Sequence, residues 1–217
     1  MSNKFRRKDI IPLNSTPVAV LEFTDFLSDD EKSIITNNVA YEKQGDNRVE
    51  VSTSYTLFEE YNLESLEKKF KECVDIYVKE VLEASLDFKL TGSWCTRNET
   101  NSNHQVHSHP NVFLSVVTYF NNNNEDIAEI VFHPKGLHSV FPNFIMEYQE
   151  RHFNNWNIFN SQSWSIKPTK NSVIVFPGNL LHSSKVNLNT SPRYCIGANY
   201  FITGSFGSNR TFTSLSL

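Results

Sequence analysis

The sequence predicts a mainly β chain with N-terminal helices: a double-stranded β-helix of the jelly-roll, cupin-like kind with helices packed on one sheet. Two observations carry that expectation. From residue 88 to 203 short apolar or alternating runs follow one another, punctuated by Asn, Gly, Pro and Ser clusters. Ahead of them lie segments whose apolar residues recur at three- and four-residue steps. Many short strands so punctuated close into a barrel, and amphipathic helices preceding them bury their stripe against a sheet face.

Each element follows from its own residues. Residues 17–23 form a short apolar run and a candidate strand. Ser28-Asp29-Asp30-Glu31 is a capping box: the Ser28 hydroxyl can accept from the Glu31 amide while Glu31 reaches back, so a helix should start there and run to about Val39. Residues 48–57 alternate polar and apolar and are expected as an edge strand. Behind an Asn62 cap, Leu63, Leu66, Phe70, Val74, Tyr77, Val78, Val81 and Leu82 mark a second helix whose stripe is core. Strands are then expected at 88–96, 105–109, 114–121, 128–133, 163–167, 172–176, 182–186 and 193–203, with a hairpin loop at 121–126. The long aromatic stretch 134–162 has the character of a lid or a structural flap.

Composition bounds the function. A chain of 217 residues can bury one substantial core, so one domain over 1–217 is expected, with helical support at about 15–87 and the barrel at about 88–203. A net charge of −4 without a basic cluster argues against nucleic-acid binding, and Lys4-Phe5-Arg6-Arg7-Lys8 reads as a solvated tail. No signal peptide and no apolar run of about 18 residues is seen, so a soluble, cytoplasmic protein away from the membrane is expected. Cys73, Cys95 and Cys195 have no metal spacing and leave an odd thiol, as in a reducing compartment, and are expected in the core.

The chemistry lies in three histidines and one arginine. On a strand, residues i and i+2 project to one face, so His107 and His109 can point at one ion while Ser108 points away. With His182 far downstream they would make three imidazole ligands, which suits divalent Fe, Zn, Cu or Ni and leaves positions open for water, O2 or a chelating substrate. A lone histidine beside Pro110 would more often line a surface loop; the combination argues for a metal. Arg193 follows His182 by 11 residues, and its planar guanidinium matches a carboxylate with two parallel hydrogen bonds. Strand parity places Asn199 on the face of Arg193, as a candidate substrate-binding residue, and Thr118 is the candidate hydroxyl for the same carboxylate, with Tyr119 assigned to core. His104, His133 and His138 are read as surface groups or neighbours of the site rather than ligands.

At these residues the chain resembles a known family. Trp94, His107-Ser108-His109-Pro110, Leu114-Ser115-Val116-Val117-Thr118-Tyr119, Ile130-Val131-Phe132, residues 168–177, His182, and Arg193 through Asn199 are similar to the 2-oxoglutarate- and Fe(II)-dependent oxygenases of the phage and bacterial type, distant relatives of prolyl 4-hydroxylases. The resemblance spans about 15–203, with its specific motifs in 94–120 and 164–201. In that superfamily the pattern is His-X-Asp, a distal His and a basic residue about ten positions later; His107, His182 and Arg193 match, and His109 stands at the carboxylate position. Either His109 is the third ligand, or it sits beside the metal with Glu99 or water in its place. The resemblance implies Fe(II), 2-oxoglutarate and O2, with ascorbate admitted as a reductant. It further implies hydroxylation of a protein or small-molecule substrate, prolyl residues among them, coupled to decarboxylation of 2-oxoglutarate to succinate. Two rival readings are a three-His cupin-type metalloenzyme that uses no keto acid, and a non-catalytic jelly-roll binding or structural protein.

Overall fold

The computed structural model describes residues 15–44, 49–121, 126–133, 155, 161, 163–208, 210 and 213–217. The expected lid at 134–162 lies outside them apart from Asn155 and Ser161, as does most of the expected hairpin loop at 121–126.

The helical support forms where the stripes predict it. Ser28 caps α1 (Asp29–Asn37): its Oγ accepts from the Glu31 amide at 3.2 Å and its own amide donates to the Glu31 carboxylate at 2.8 Å. The same carboxylate accepts from Lys69 at 2.9 Å, tying α1 to the helix that carries Lys69. A short helix, α2 (Leu57–Glu60), buries Leu57 and Phe58 ahead of α3 (Glu64–Ile76). No side chain caps α3; Asn62 instead adopts a left-handed φ of 52°, which asparagine tolerates, and turns the chain into the helix. Leu63, Leu66, Phe70, Val74, Tyr77 and Val78 are buried as expected, but Val81 and Leu82 are exposed. Residues Tyr77–Val81 form a π-helical turn, and each i→i+5 bond rotates the side chains after it off the apolar stripe.

Two antiparallel sheets make the barrel. The strands are β1 (Ala19–Glu22), β2 (Tyr41–Lys43), β3 (Val49–Ser52), β4 (Asp87–Asn98), β5 (Leu114–Asn121), β6 (Ile130–His133), β7 (Trp164–Ile166), β8 (Ser172–Pro177), β9 (Leu181–Ser184) and β10 (Arg193–Thr203). The large sheet runs β1-β8-β5-β10-β4-β3-β2 and the small one β7-β6-β9. A C-terminal hairpin, β11 (Ser205–Ser208) with β12 (Thr213–Ser216), was not foreseen from its Ser- and Thr-rich sequence. Nor does β3 hold the edge, because β2, three residues long and too short to read by alternation, pairs outside it. The expected strand at 105–109 shrinks to one bridge at His107, between chain reversals at Asn101 and Asn111, both at positive φ.

The large sheet is buried on both faces. On one, Val116, Phe120, Val173, Val175, Ile196 and Ala198 pack against the helices. On the other, Val117, Tyr119, Ile174, Phe176 and Cys195 meet Ile130 and Phe132 of the small sheet, closing the jelly roll. All three cysteines are buried and free. Among the described residues no helix is long and apolar enough to cross a membrane.

Candidate metal centre

His107 and His182 are brought together by the backbone. Each donates its amide to the other's carbonyl at 2.9 Å, a directly opposed antiparallel pair whose side chains share a face. Two residues on, the His109 amide donates to the Gly178 carbonyl at 2.8 Å, in the turn between β8 and β9. The potential ligand atoms of His107, His109 and His182 all lie within 4.8 Å of one another. Ring centroids stand 4.2 Å apart for His107–His182, 5.3 Å for His107–His109 and 5.0 Å for His109–His182.

Hydrogen bonds decide which ring nitrogen each histidine offers. A carbonyl can only accept, so Nδ1–H of His107 donates to the Gln105 carbonyl at 2.8 Å and Nδ1–H of His182 to the Leu180 carbonyl at 2.9 Å. Both leave Nε2 as a bare lone pair, the form that binds a metal. Nδ1 of His109 meets Asn199 Oδ1 at 2.9 Å and Ser115 Oγ at 2.7 Å. Burial pushes His109 down to about 4 and His182 to about 3, with neighbouring imidazoles adding to the effect, and burial also lowers His107, against its bond to the Gln105 carbonyl. At neutral pH the three rings are therefore uncharged and able to ligate.

Packing supports this arrangement from below. Trp94 meets the His109 ring edge-on at 5.2 Å between centroids. Gly197 lies opposite Trp94 in the β10–β4 register, and a Cβ there would come within 2.5 Å of the indole. Only glycine leaves room for the ring that backs His109.

Arg193 faces the same cavity, which is also lined by Thr96, His104, Tyr119 and Cys195. It is 2% exposed, yet among the described residues it makes a single hydrogen bond, from Nη1 to the Ala128 carbonyl at 3.1 Å, and its Nε has no acceptor. Its guanidinium stacks over the Tyr119 ring at 5.2 Å. Among the described residues no carboxylate pairs with it. A buried cation without a counter-charge is costly, and a ligand carboxylate would relieve that cost. Three neutral imidazoles with open positions fit a divalent iron, and this cation fits the far end of a dianionic chelator.

Several expected positions change. Thr118 does not reach the cavity: it stands opposite Ile196 and Val173 on the helix side, and its Oγ1 donates to the Ser172 carbonyl at 2.9 Å. The reason is phase, since Tyr119 and not Thr118 shares the face of Cys195 and Arg193. Tyr119, assigned to core, is buried there and also lines the cavity, with its ring beneath the arginine. Asn199 does point inward with Arg193, but its amide oxygen engages His109 and Ser115. Glu99 pairs with Arg97 at 3.2 Å and is not part of the histidine group. Of the two places expected for His104, the structure has the neighbour of the site: it stacks on His107 at 4.3 Å and 17°, lining the cavity without joining the ligand group. Burial pushes it down to about 3. Ser115 was not singled out, because nothing local reveals that β5 sets it directly opposite Asn199.

A sequence model of the family described as "Putative 2OG-Fe(II) oxygenase" matches residues 92–199. No curated protein sequence matches the chain. Solved structures that share its fold include the following three. An oxidoreductase of the 2OG-Fe(II) oxygenase family from Burkholderia pseudomallei is 14% identical, with TM-score 0.54 over 84% of this chain and 83% of that one. A prolyl hydroxylase from Trichoplax adhaerens, in complex with a hypoxia inducible factor peptide fragment, is 12% identical, with TM-score 0.55 over 87% and 85%. The non-heme alpha ketoglutarate dependent epimerase SnoN from nogalamycin biosynthesis is 10% identical, with TM-score 0.56 over 89% and 79%. Fe(II) and 2-oxoglutarate are the metal and co-substrate of the matched family. Residues 92–199, with the three histidines, Arg193 and Asn199 among them, belong to the 2OG-Fe(II) oxygenase family.

Proposed function

We propose that the chain is a 2-oxoglutarate-dependent hydroxylase in which His107, His109 and His182 hold Fe(II) through Nε2 and Arg193 clamps the far carboxylate of 2-oxoglutarate. One observation carries this reading: an arginine that is buried without a counter-charge among the described residues and three neutral imidazoles line one cavity. Tyr119, over which the guanidinium lies, takes the supporting place expected of Thr118. When bound, iron with 2-oxoglutarate and O2 supplies decarboxylation to succinate and oxygen transfer to a C–H bond. The residues supply placement: the His pair is fixed by backbone, and Arg193 by β10 and the Ala128 carbonyl. A side chain of a polypeptide or a small molecule is the substrate class.

Among the described residues no carboxylate joins the three histidines, which favours a second reading, a three-His oxygenase that uses no keto acid. Anaerobic addition of Fe(II) and then 2-oxoglutarate separates them. The hydroxylase should develop a weak visible metal-to-ligand charge-transfer band only with both present, and should form succinate when O2 is admitted. Oxygen uptake indifferent to 2-oxoglutarate would overturn the hydroxylase reading.

A further inference from the structure

We propose that Ser115 and Asn199 are a positioning pair that holds His109 protonated on Nδ1 and so turns its Nε2 lone pair to the metal, in the place where the superfamily has a carboxylate. The proposal rests on the three-histidine reading above. For His107 and His182 that task falls to main-chain carbonyls, which no substitution can alter. For His109 it falls to two side chains facing each other across β5 and β10, beside the register shift at Asn199/Tyr200. The three polar atoms form a closed triangle, with Ser115 Oγ to Asn199 Oδ1 at 2.8 Å, His109 Nδ1 to Asn199 Oδ1 at 2.9 Å and His109 Nδ1 to Ser115 Oγ at 2.7 Å. Asn199 Oδ1 can only accept. Ser115 has one hydrogen, and it is directed to Asn199, so Ser115 can only accept from His109. The remaining proton must therefore sit on Nδ1, shared between the two oxygens. Were Nδ1 bare, the Asn199 oxygen would face a lone pair at 2.9 Å with nothing between them. Turning the amide so that its nitrogen meets His109 is the one competing arrangement; it would place the ring proton on Nε2 and block the metal.

The tautomer can be read directly by long-range 1H–15N correlation spectra of the metal-free protein at neutral pH. The wild type should show His109 neutral and protonated on Nδ1. Asn199→Asp, which keeps an acceptor, should preserve that state, while Asn199→Ala combined with Ser115→Ala should shift it toward Nε2–H. In parallel, Co(II) affinity should fall roughly 10–100-fold in Asn199→Ala, as for residues that orient a ligand, and recover in Asn199→Asp. Ser115→Ala removes a single oxygen and keeps the test available if Asn199→Ala does not fold. An Nε2–H tautomer in the wild type, or a tautomer unmoved in the double variant, overturns the proposal. Because the tautomer is read without metal, a wild type that binds no Co(II) counts against the three-histidine reading by itself.

Discussion

His107 and His182 exchange both backbone hydrogen bonds at 2.9 Å, so two ligands far apart in sequence are fixed by main-chain geometry before any metal arrives. Such a pair cannot be loosened by changing a neighbouring side chain, whereas His109 can. His107→Ala and His182→Ala should each abolish tight Co(II) or Fe(II) binding, and His109→Ala should match them. His109→Asp should retain the metal, because it restores two imidazoles and a carboxylate on one face. Calorimetric titration of the four variants checks this, and full affinity in His109→Ala would exclude His109 as a ligand.

Among the described residues Arg193 carries a buried charge with one backbone acceptor and an orphaned Nε. Arg193→Met should therefore leave the melting temperature of the metal-free protein unchanged or higher, since an apolar isostere relieves the desolvation of an unpaired cation. The same change should weaken 2-oxoglutarate binding by about 2–5 kcal/mol while metal affinity persists. A large fall in melting temperature would mean that the arginine is structural.

Thr118 and Tyr119 should separate cleanly. Thr118→Val removes the bond to the Ser172 carbonyl on the helix side and should cost about 1 kcal/mol of stability, with no change in 2-oxoglutarate affinity. Tyr119→Phe should lower that affinity by roughly tenfold at little cost in stability, as for a hydrogen bond to a charged group. The reverse pattern in paired binding and denaturation curves would put Thr118 back in the site.

Gly197→Ala should drive the Trp94 indole toward His109, because the added Cβ would lie 2.5 Å from the ring. Overpacking of this kind costs about 1–3 kcal/mol. A lower melting temperature together with weaker metal binding is the expected result; weaker stability alone would show that Trp94 does not support His109.

Acid should destabilise the metal-free protein through its histidines. Burial holds His109 at about 4 and His182 at about 3, below the ordinary value of 6.5, so between those values the unfolded chain takes up protons that the folded chain refuses. Stability is full above about 6.5 and is lost as pH falls toward those lower values. In the presence of chelator, melting temperature against pH should decline less steeply over that window for His182→Gln than for the wild type. Equal slopes would show that His182 is not held neutral by the fold.

Much of this was legible locally. The Ser28 capping box, the α3 stripe as far as Val78, and β5 and β10 to their end residues all depend on neighbours within a few positions, whereas His107 and His109 converge without the strand expected at 105–109, through separate backbone bonds to His182 and Gly178. The inward face of Asn199 followed from Arg193 by parity alone.

What the tertiary structure alone decided is phase and register. In β5 residues Leu114 to Phe120 are all buried, so no polar alternation marks which side faces the cavity, and Thr118 and Tyr119 could not be told apart until pairing with β10 set them on opposite faces. The same register made Ser115 the partner of Asn199, and the turn after β8 brought His109 onto both. Sequence by itself determined which side chains could ligate an ion and clamp a carboxylate, because those capacities are intrinsic to imidazole and guanidinium. Folding decided which nitrogen each imidazole offers, because a tautomer is set by acceptors that distant strands deliver.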